Sequence, residues 1–246
     1  MTLLVDIGNS RIKWCPYDDR LATLGPVQSA GTDDLEAVLA AHWALLPRPE
    51  RVWISNVGGP LLGARSSRWV QETWGLVPTF AACGNQAFGV ENGYERPRQL
   101  GVDRWLAMLA GWRRSQGAVC IADCGTAVTV DALSDRGRHL GGLILPGLAL
   151  MRRSLAHAAA GLAAVQGGRI VPLARSTEDG IASGSACAIA ACIDRVAATL
   201  QERYGQVSCV VTGGTAREIA GLVQHTPALM PDLVLQGLAI WAGGER

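Results

Sequence analysis

The chain has 246 residues, a net charge of +1, and 49% hydrophobic and 17% charged side chains. This is the composition of one large or two small globular domains with a substantial core, greasy enough to leave room for a buried oligomer interface. Near-neutral charge gives no reason to expect nucleic acid or an anionic membrane as a partner.

Residues 2–7 and 11–16 read as paired strands, the first ending Asp6-Ile7-Gly8-Asn9-Ser10. The apolar run before Asp6 lacks a basic flank, so no signal peptide is expected. Residues 33–46 carry the helical period, with Leu35, Val38, Leu39 and Leu46 on one face and Thr32 or Asp33 as N-cap. Arg51 to Ser55 reads as a strand. Gly58-Gly59-Pro60 opens a helix bearing Leu61, Leu62, Trp69 and Trp74, and Val77 to Ala81 is another strand. Residues 84–100 lack periodicity, and a loop of that length tends to be functional. A helix follows from about Asp103 to Arg114, with Trp105 and Trp112 as core residues.

After a boundary near Ser115 to Gly117 the pattern restarts. Strands are expected at 118–123, 127–133 and 139–145, with Ser134-Asp135-Arg136-Gly137 as a turn. A helix follows Pro146, residues 164–175 look irregular, and a long helix begins near Thr177 with that residue as N-cap. Gln206 to Thr212 is a strand into Gly213-Gly214-Thr215, then a helix. The expected division is 1–116 and 117–246, in an α/β fold whose hairpins imply mixed sheets. No apolar stretch is expected to reach the roughly 20 residues of a membrane span.

The seven cysteines form no CxxC pair and the four histidines show no ligand spacing. Reduced, mostly buried thiols in a cytoplasmic protein are the expectation, and a zinc site is not.

The chain says nearly the same thing twice. Leu3-Leu4-Val5-Asp6-Ile7-Gly8-Asn9-Ser10 is echoed by Val119-Cys120-Ile121-Ala122-Asp123-Cys124-Gly125-Thr126, each followed at once by a second strand. Each copy reads as a hairpin with the same carboxylate, glycine and hydroxyl pattern at its mouth. A strand-end carboxylate can hold a hydrated Mg²⁺, and a glycine lets turn N–H groups approach phosphate oxygens. Asn9 and Ser10 can donate to phosphate, and Lys13 can reach it as a point charge. One copy alone is equally an ordinary hairpin whose Asp and Asn serve the turn. Two copies in matching contexts favour two similar lobes around a nucleotide cleft.

Gly101-Val102-Asp103-Arg104 opens a helix, where an Asp can be a general base beside an anion-holding Arg, or simply a cap beside a surface Arg. Thr177-Glu178-Asp179-Gly180 reads first as helix initiation, with a hydroxyl that can also meet a ligand. Gly213-Gly214 fits either a nucleoside packed on backbone or a tight turn. There is no GxxxxGK[ST] and no GxGxxG.

Together the motifs resemble the type III pantothenate kinases, also called the Bvg accessory factor family, of the acetate kinase/sugar kinase/Hsp70/actin superfamily. The similarity also takes in Gly141-Gly142 through Pro146-Gly147. It implies two ribonuclease H-like (actin-like ATPase) lobes and transfer of the ATP γ-phosphoryl to pantothenate, the first step of coenzyme A synthesis. Asp103 would be the base. Asp6, Ile7, Gly8, Asn9, Ser10, Arg11, Ile12 and Lys13 would form the first phosphate loop, with Asp6 meeting Mg²⁺ through water. Gly125, Thr126 and Ala127 would form the second. Tyr94, Gly101, Val102, Asp103 and Thr177 would contact pantothenate, Arg104 would hold pantothenate or a phosphate, and Asp123 would bind K⁺ or NH₄⁺. A homodimer is implied, with the long helix after Thr177 or the helices around Trp105 as its interface. Two other readings stay open: a superfamily kinase with another small acceptor, and a nucleotide-binding regulatory protein without turnover.

Overall fold

The computed structural model describes residues 1–158 and 167–244, and the side chains of 156–158 fall outside that description. In chain order the elements are β1 (Thr2–Ile7), β2 (Arg11–Asp18), β3 (Thr23–Leu24), β4 (Gln28–Gly31), α1 (Leu35–Ala41), β5 (Arg51–Asn56), α2 (Pro60–Trp74), β6 (Thr79–Phe80), β7 (Gln86–Ala87), β8 (Val90–Glu91), α3 (Val102–Arg114), β9 (Ala118–Cys124), β10 (Ala127–Leu133), β11 (His139–Pro146), α4 (Leu148–Ala158), α5 (Thr177–Tyr204), β12 (Val207–Thr212), α6 (Ala216–Ala220), β13 (Ala228–Leu229) and α7 (Leu233–Gly244).

The chain divides into two compact units. One comprises Met1–Phe88, Tyr94–Ala110 and Asp232–Arg246, the other Gly89–Gly93 and Gly111–Pro231. The break near 116 is therefore not the whole division. The C-terminal α7, which chain order alone would assign to the second unit, packs on β1 and β5 in the first.

In the first unit the strands run β3-β2-β1-β5-β6, with β4 also pairing β2. The β1–β2 pair is antiparallel, while β5 and β6 add parallel strands. On one face of the sheet Leu3, Val5, Ile7, Ile12, Trp14, Val52 and Ile54 form a core with α1 and α2. Four tryptophans consolidate it: Trp43 stacks on Trp74 at 6.1 Å, and Trp69 meets Trp74 edge-on at 4.9 Å. Strand alternation sends Leu4, Asp6 and Lys13 to the opposite face, where α7 lies.

The second unit repeats this plan. Its strands run β11-β10-β9-β12-β13, with β9–β10 and β10–β11 antiparallel and β12 and β13 parallel additions. Cys120, Ala122, Val128, Val130 and Val211 pack against Ala186, Ile189, Ile193, Ala197 and Leu200 of α5. By length and composition α5 could cross a membrane, contrary to the sequence expectation. Its buried residues, Ala186, Ile189, Ile193, Ala197 and Leu200 among them, pack on this sheet, as in the core helix of a globular domain.

Several boundaries differ from the sequence reading for identifiable reasons. Helix α1 is shorter than 33–46, and its cap is Asp34, whose Oδ1 accepts from Ala37 N at 3.0 Å. Thr32 is engaged elsewhere, as described below. Ser176, not Thr177, caps α5, its Oγ accepting from Asp179 N at 3.2 Å. The strand expected over Val77 to Ala81 pairs only through Thr79 and Phe80, and Val77 is exposed. Residues 84–100 contain the β7–β8 ribbon and a 3-10 turn at Pro97–Gln99. Of the irregular stretch 164–175, residues 164–166 lie outside the described residues and 167–175 hold neither helix nor strand.

Candidate active site

In the first hairpin Gly8 N donates to Arg11 O at 2.9 Å, leaving Asn9 and Ser10 exposed at the tip. Two neighbours fix this turn. Thr32 N donates to Ser10 O at 3.2 Å, and Thr32 Oγ1 donates to Asn9 O at 3.1 Å. On the other side Val57 N and Gly58 N both donate to Ile7 O, at 2.9 and 3.1 Å. Gly58 sits so close that an added Cβ would stand 2.6 Å from Gly8 O. Asn56 braces the same crossing, accepting from Gly58 N at 3.1 Å and donating to Gly59 O at 3.0 Å.

Asp6 lies one residue before the end of β1, opposite Lys13 on β2 and Ser55 on β5. Lys13 Nζ pairs with Asp232 Oδ1 at 3.1 Å, a partner the sequence reading missed. Ile7 and Ile12 are fully buried in the core, so only their backbone belongs to the loop. Arg11 reaches sideways, its Nε donating to Ser29 Oγ at 2.9 Å.

The second hairpin is similar but one residue shorter. Gly125 N donates to Ala127 O at 3.1 Å, so only Thr126 stands at the tip. The matching spacing holds for carboxylate and glycine but not for the hydroxyl. Thr126 is three residues after Asp123, whereas Ser10 is four after Asp6. This loop too is clamped: Gly147 N donates to Thr126 O at 3.0 Å, and Thr215 N and Oγ1 both donate to Cys124 O, at 3.1 and 3.0 Å. Gly213, at φ +96°, lies directly against the loop. A Cβ there would meet Asp123 Oδ1 at 2.5 Å and Cys124 O at 2.6 Å. Gly213 therefore serves the second loop's close packing, whereas a Cβ on Gly214 would meet nothing within 4 Å.

Asp103 and Arg104 occupy the first turn of α3, with Gly101 O accepting from Trp105 N at 3.0 Å. Asp103 Oδ1 accepts from Arg104 N at 2.8 Å. Arg104 is 6% exposed, and its Nη1 donates to Tyr94 Oη at 2.7 Å. The arginine is thus not the surface residue its type suggests. Buried cations need partners, and Tyr94 supplies one from the end of the long loop. Val102 begins the helix beside them. Cys83, which the sequence did not flag, donates its thiol to Leu100 O at 3.2 Å. Burial, then the Asp103 carboxylate, push this thiol up to about 12, with Arg104 opposing.

The first unit therefore assembles Asp6, Gly8, Asn9, Ser10 and Lys13 around one turn, and Tyr94, Asp103 and Arg104 around the start of α3. The second unit carries Asp123, Gly125, Thr126 and Ala127 on its hairpin, and exposed Thr177 at the start of α5. Among the described residues no three His, Cys, Asp or Glu side chains gather as a metal nest. A Mg²⁺ that arrives hydrated on a nucleotide needs only one or two carboxylates, which Asp6 fits.

A profile of the type III pantothenate kinase family matches residues 2–199. A type III pantothenate kinase of Nitrosococcus oceani is 40% identical over 247 residues, covering 97% of this chain and 92% of that protein. A solved Baf family transcriptional activator from Campylobacter jejuni superimposes with a TM-score of 0.62 at 20% identity, over 99% of this chain and 100% of its own. A ROK family glucokinase from Streptomyces griseus, solved with glucose and AMPPNP, gives 0.51 at 14% identity, over 98% of each chain. These two structures are alike in fold, the α/β actin-like ATPase and sugar kinase architecture with its repeated mixed sheets. By the family profile and the full-length relative, the chain belongs to the type III pantothenate kinase family.

Proposed function

We propose that the chain carries out its family's reaction through the three loops just described. The reaction is ATP-dependent phosphorylation of pantothenate, which commits it to coenzyme A. Membership of the family across nearly the full chain carries this reading.

Phosphoryl transfer to an alcohol needs alignment, charge neutralisation and an acceptor for the hydroxyl proton. Asp103 takes that proton. It lies in the first turn of α3, where Gly101 gives its carboxylate room and Arg104 N donates to its Oδ1. Arg104, oriented by Tyr94, meets the carboxylate of pantothenate, and Val102 and Thr177 add contacts. The turns at Gly8 and Gly125 donate backbone N–H groups to phosphate oxygens, joined by Asn9, Ser10, Thr126 and Lys13. Asp6 would hold a Mg²⁺ that arrives with ATP, and the ion would supply positive charge at the phosphates.

Asp123 is our choice for a monovalent cation, K⁺ or NH₄⁺. It is a strand-end carboxylate that the glycine at 213 allows the backbone to approach. A homodimer is likewise part of the proposal, with α5 as its interface: Gly184, Cys187, Ala188 and Ala191 form an exposed face along that helix. Seven cysteines, none in a disulfide, suit a cytoplasmic protein.

Acceptor profiling with ATP and Mg²⁺, read by mass, tests the substrate. Phosphopantothenate as the dominant product is expected. Preferential phosphorylation of a sugar or another small alcohol contradicts the reading.

A further inference from the structure

We infer that Asp232, the residue just before the C-terminal helix, is a positioning residue for Lys13 and hence for the nucleotide phosphates. The inference rests on the reading of Lys13 as a phosphate-binding residue.

Lysine is a compact charge on a flexible four-carbon stem, and holding it in one place costs rotamer freedom. Here Nζ is anchored at 3.1 Å to Asp232 Oδ1, with both side chains about three-quarters buried, at 28% and 25% exposed. Asp232 is itself held in an unusual state. Its φ is +54°, a conformation that non-glycine residues adopt rarely and Asp more readily than most. Such backbone persists where the surroundings over-determine it.

Those surroundings are α7. Asp232 O accepts from Gln236 N at 3.0 Å, starting the helix. Leu233, Leu235, Leu238 and Ala242 are fully buried. Gly237 lies against the α3 backbone, where any Cβ would collide with the Leu106 carbonyl. One helix thus packs on the segment bearing Asp103 and Arg104 and presents a carboxylate to Lys13. Asp6 faces Lys13 from the other hairpin strand. The ammonium is therefore held by a carboxylate fixed at the head of α7, with Asp6 at the paired position on β1.

The test uses the full chain and four variants: Asp232→Asn, Asp232→Glu, Lys13→Met and the Lys13→Met/Asp232→Asn double. Asp232→Asn is expected to raise KM for ATP about two- to fivefold, the scale of a partly exposed ion pair. KM for pantothenate and the thermal midpoint should stay put, and Asp232→Glu should restore part of the loss. In the Lys13→Met background Asp232→Asn should have no further effect. The same factor in both backgrounds, a joint rise in both KM values, or an unchanged or lower KM for ATP overturns the inference. If Lys13→Met alone leaves KM for ATP unchanged, the phosphate role of Lys13 fails and the inference falls with it. If Lys13→Met is damaging and Asp232→Asn is not, only the inference fails.

Discussion

Gly213 faces Asp123 across a gap that only a glycine can occupy. At φ +96°, a Cβ on residue 213 would stand 2.5 Å from Asp123 Oδ1 and 2.6 Å from Cys124 O. The second hairpin turn is therefore shaped by β12 as much as by its own strands. Gly213→Ala should destabilise the protein by about 1–3 kcal/mol, from backbone strain and overpacking together. It should also weaken nucleotide binding. Urea denaturation checks the first effect, and a midpoint equal to the parent's contradicts the packing account.

Asp103→Asn keeps the size of the side chain and an oxygen that can accept from Arg104 N. It removes the basicity needed to take the pantothenate hydroxyl proton. General-base groups typically contribute about 10²–10⁴-fold, so kcat should fall by that order while KM for ATP stays nearly constant. Steady-state kinetics decide the matter, and unchanged turnover sinks the base assignment.

Tyr94→Phe removes the oxygen that accepts from Arg104 Nη1 at 2.7 Å. Loss of one hydrogen bond to a buried charged group costs about 1.5–3 kcal/mol. KM for pantothenate should rise about tenfold or more, with KM for ATP little changed. Equal effects on both substrates would instead mean a general loss of structure.

The thiols of Cys15, Cys83 and Cys124 are each pushed up to about 12, first by burial and then by a neighbouring carboxylate: Asp232, Asp103 and Asp123 respectively. At pH 8 they stay protonated, so iodoacetamide should label them far more slowly in the folded protein than after denaturation. Peptide mass mapping reads the difference, and rapid labelling of Cys83 in the folded protein contradicts the site geometry. The sign for stability follows from the same shifts. A thiol with a raised folded pKa contributes stability that is present below the ordinary value of 9.0 and lost as pH rises through about 12. Folding should therefore weaken between those values.

The parts legible in the sequence are the local ones. A strand ending in Asp-x-Gly and returning at once can only be a hairpin, so Asp6, Gly8, Asp123 and Gly125 were readable at sight. Contacts that bring distant segments to these turns carry no periodicity. Thr32 on the Asn9 carbonyl, Gly147 on Thr126 and Thr215 on Cys124 could not be read in this way. Thr32 looked like a helix cap because Thr, Asp33 and Asp34 all suit that position. Helix α7 escaped notice because it is apolar on nearly every side, leaving no stripe to mark it. With it went Asp232. Strands β3 and β13 are two residues each, too short for alternation to register.

The most direct test of the account is coupled ADP release by the purified full chain with ATP, Mg²⁺ and K⁺, with and without pantothenate. ADP release that depends on pantothenate is the expected result. ADP release indifferent to pantothenate, or none from folded protein supplied with either K⁺ or NH₄⁺, would contradict it.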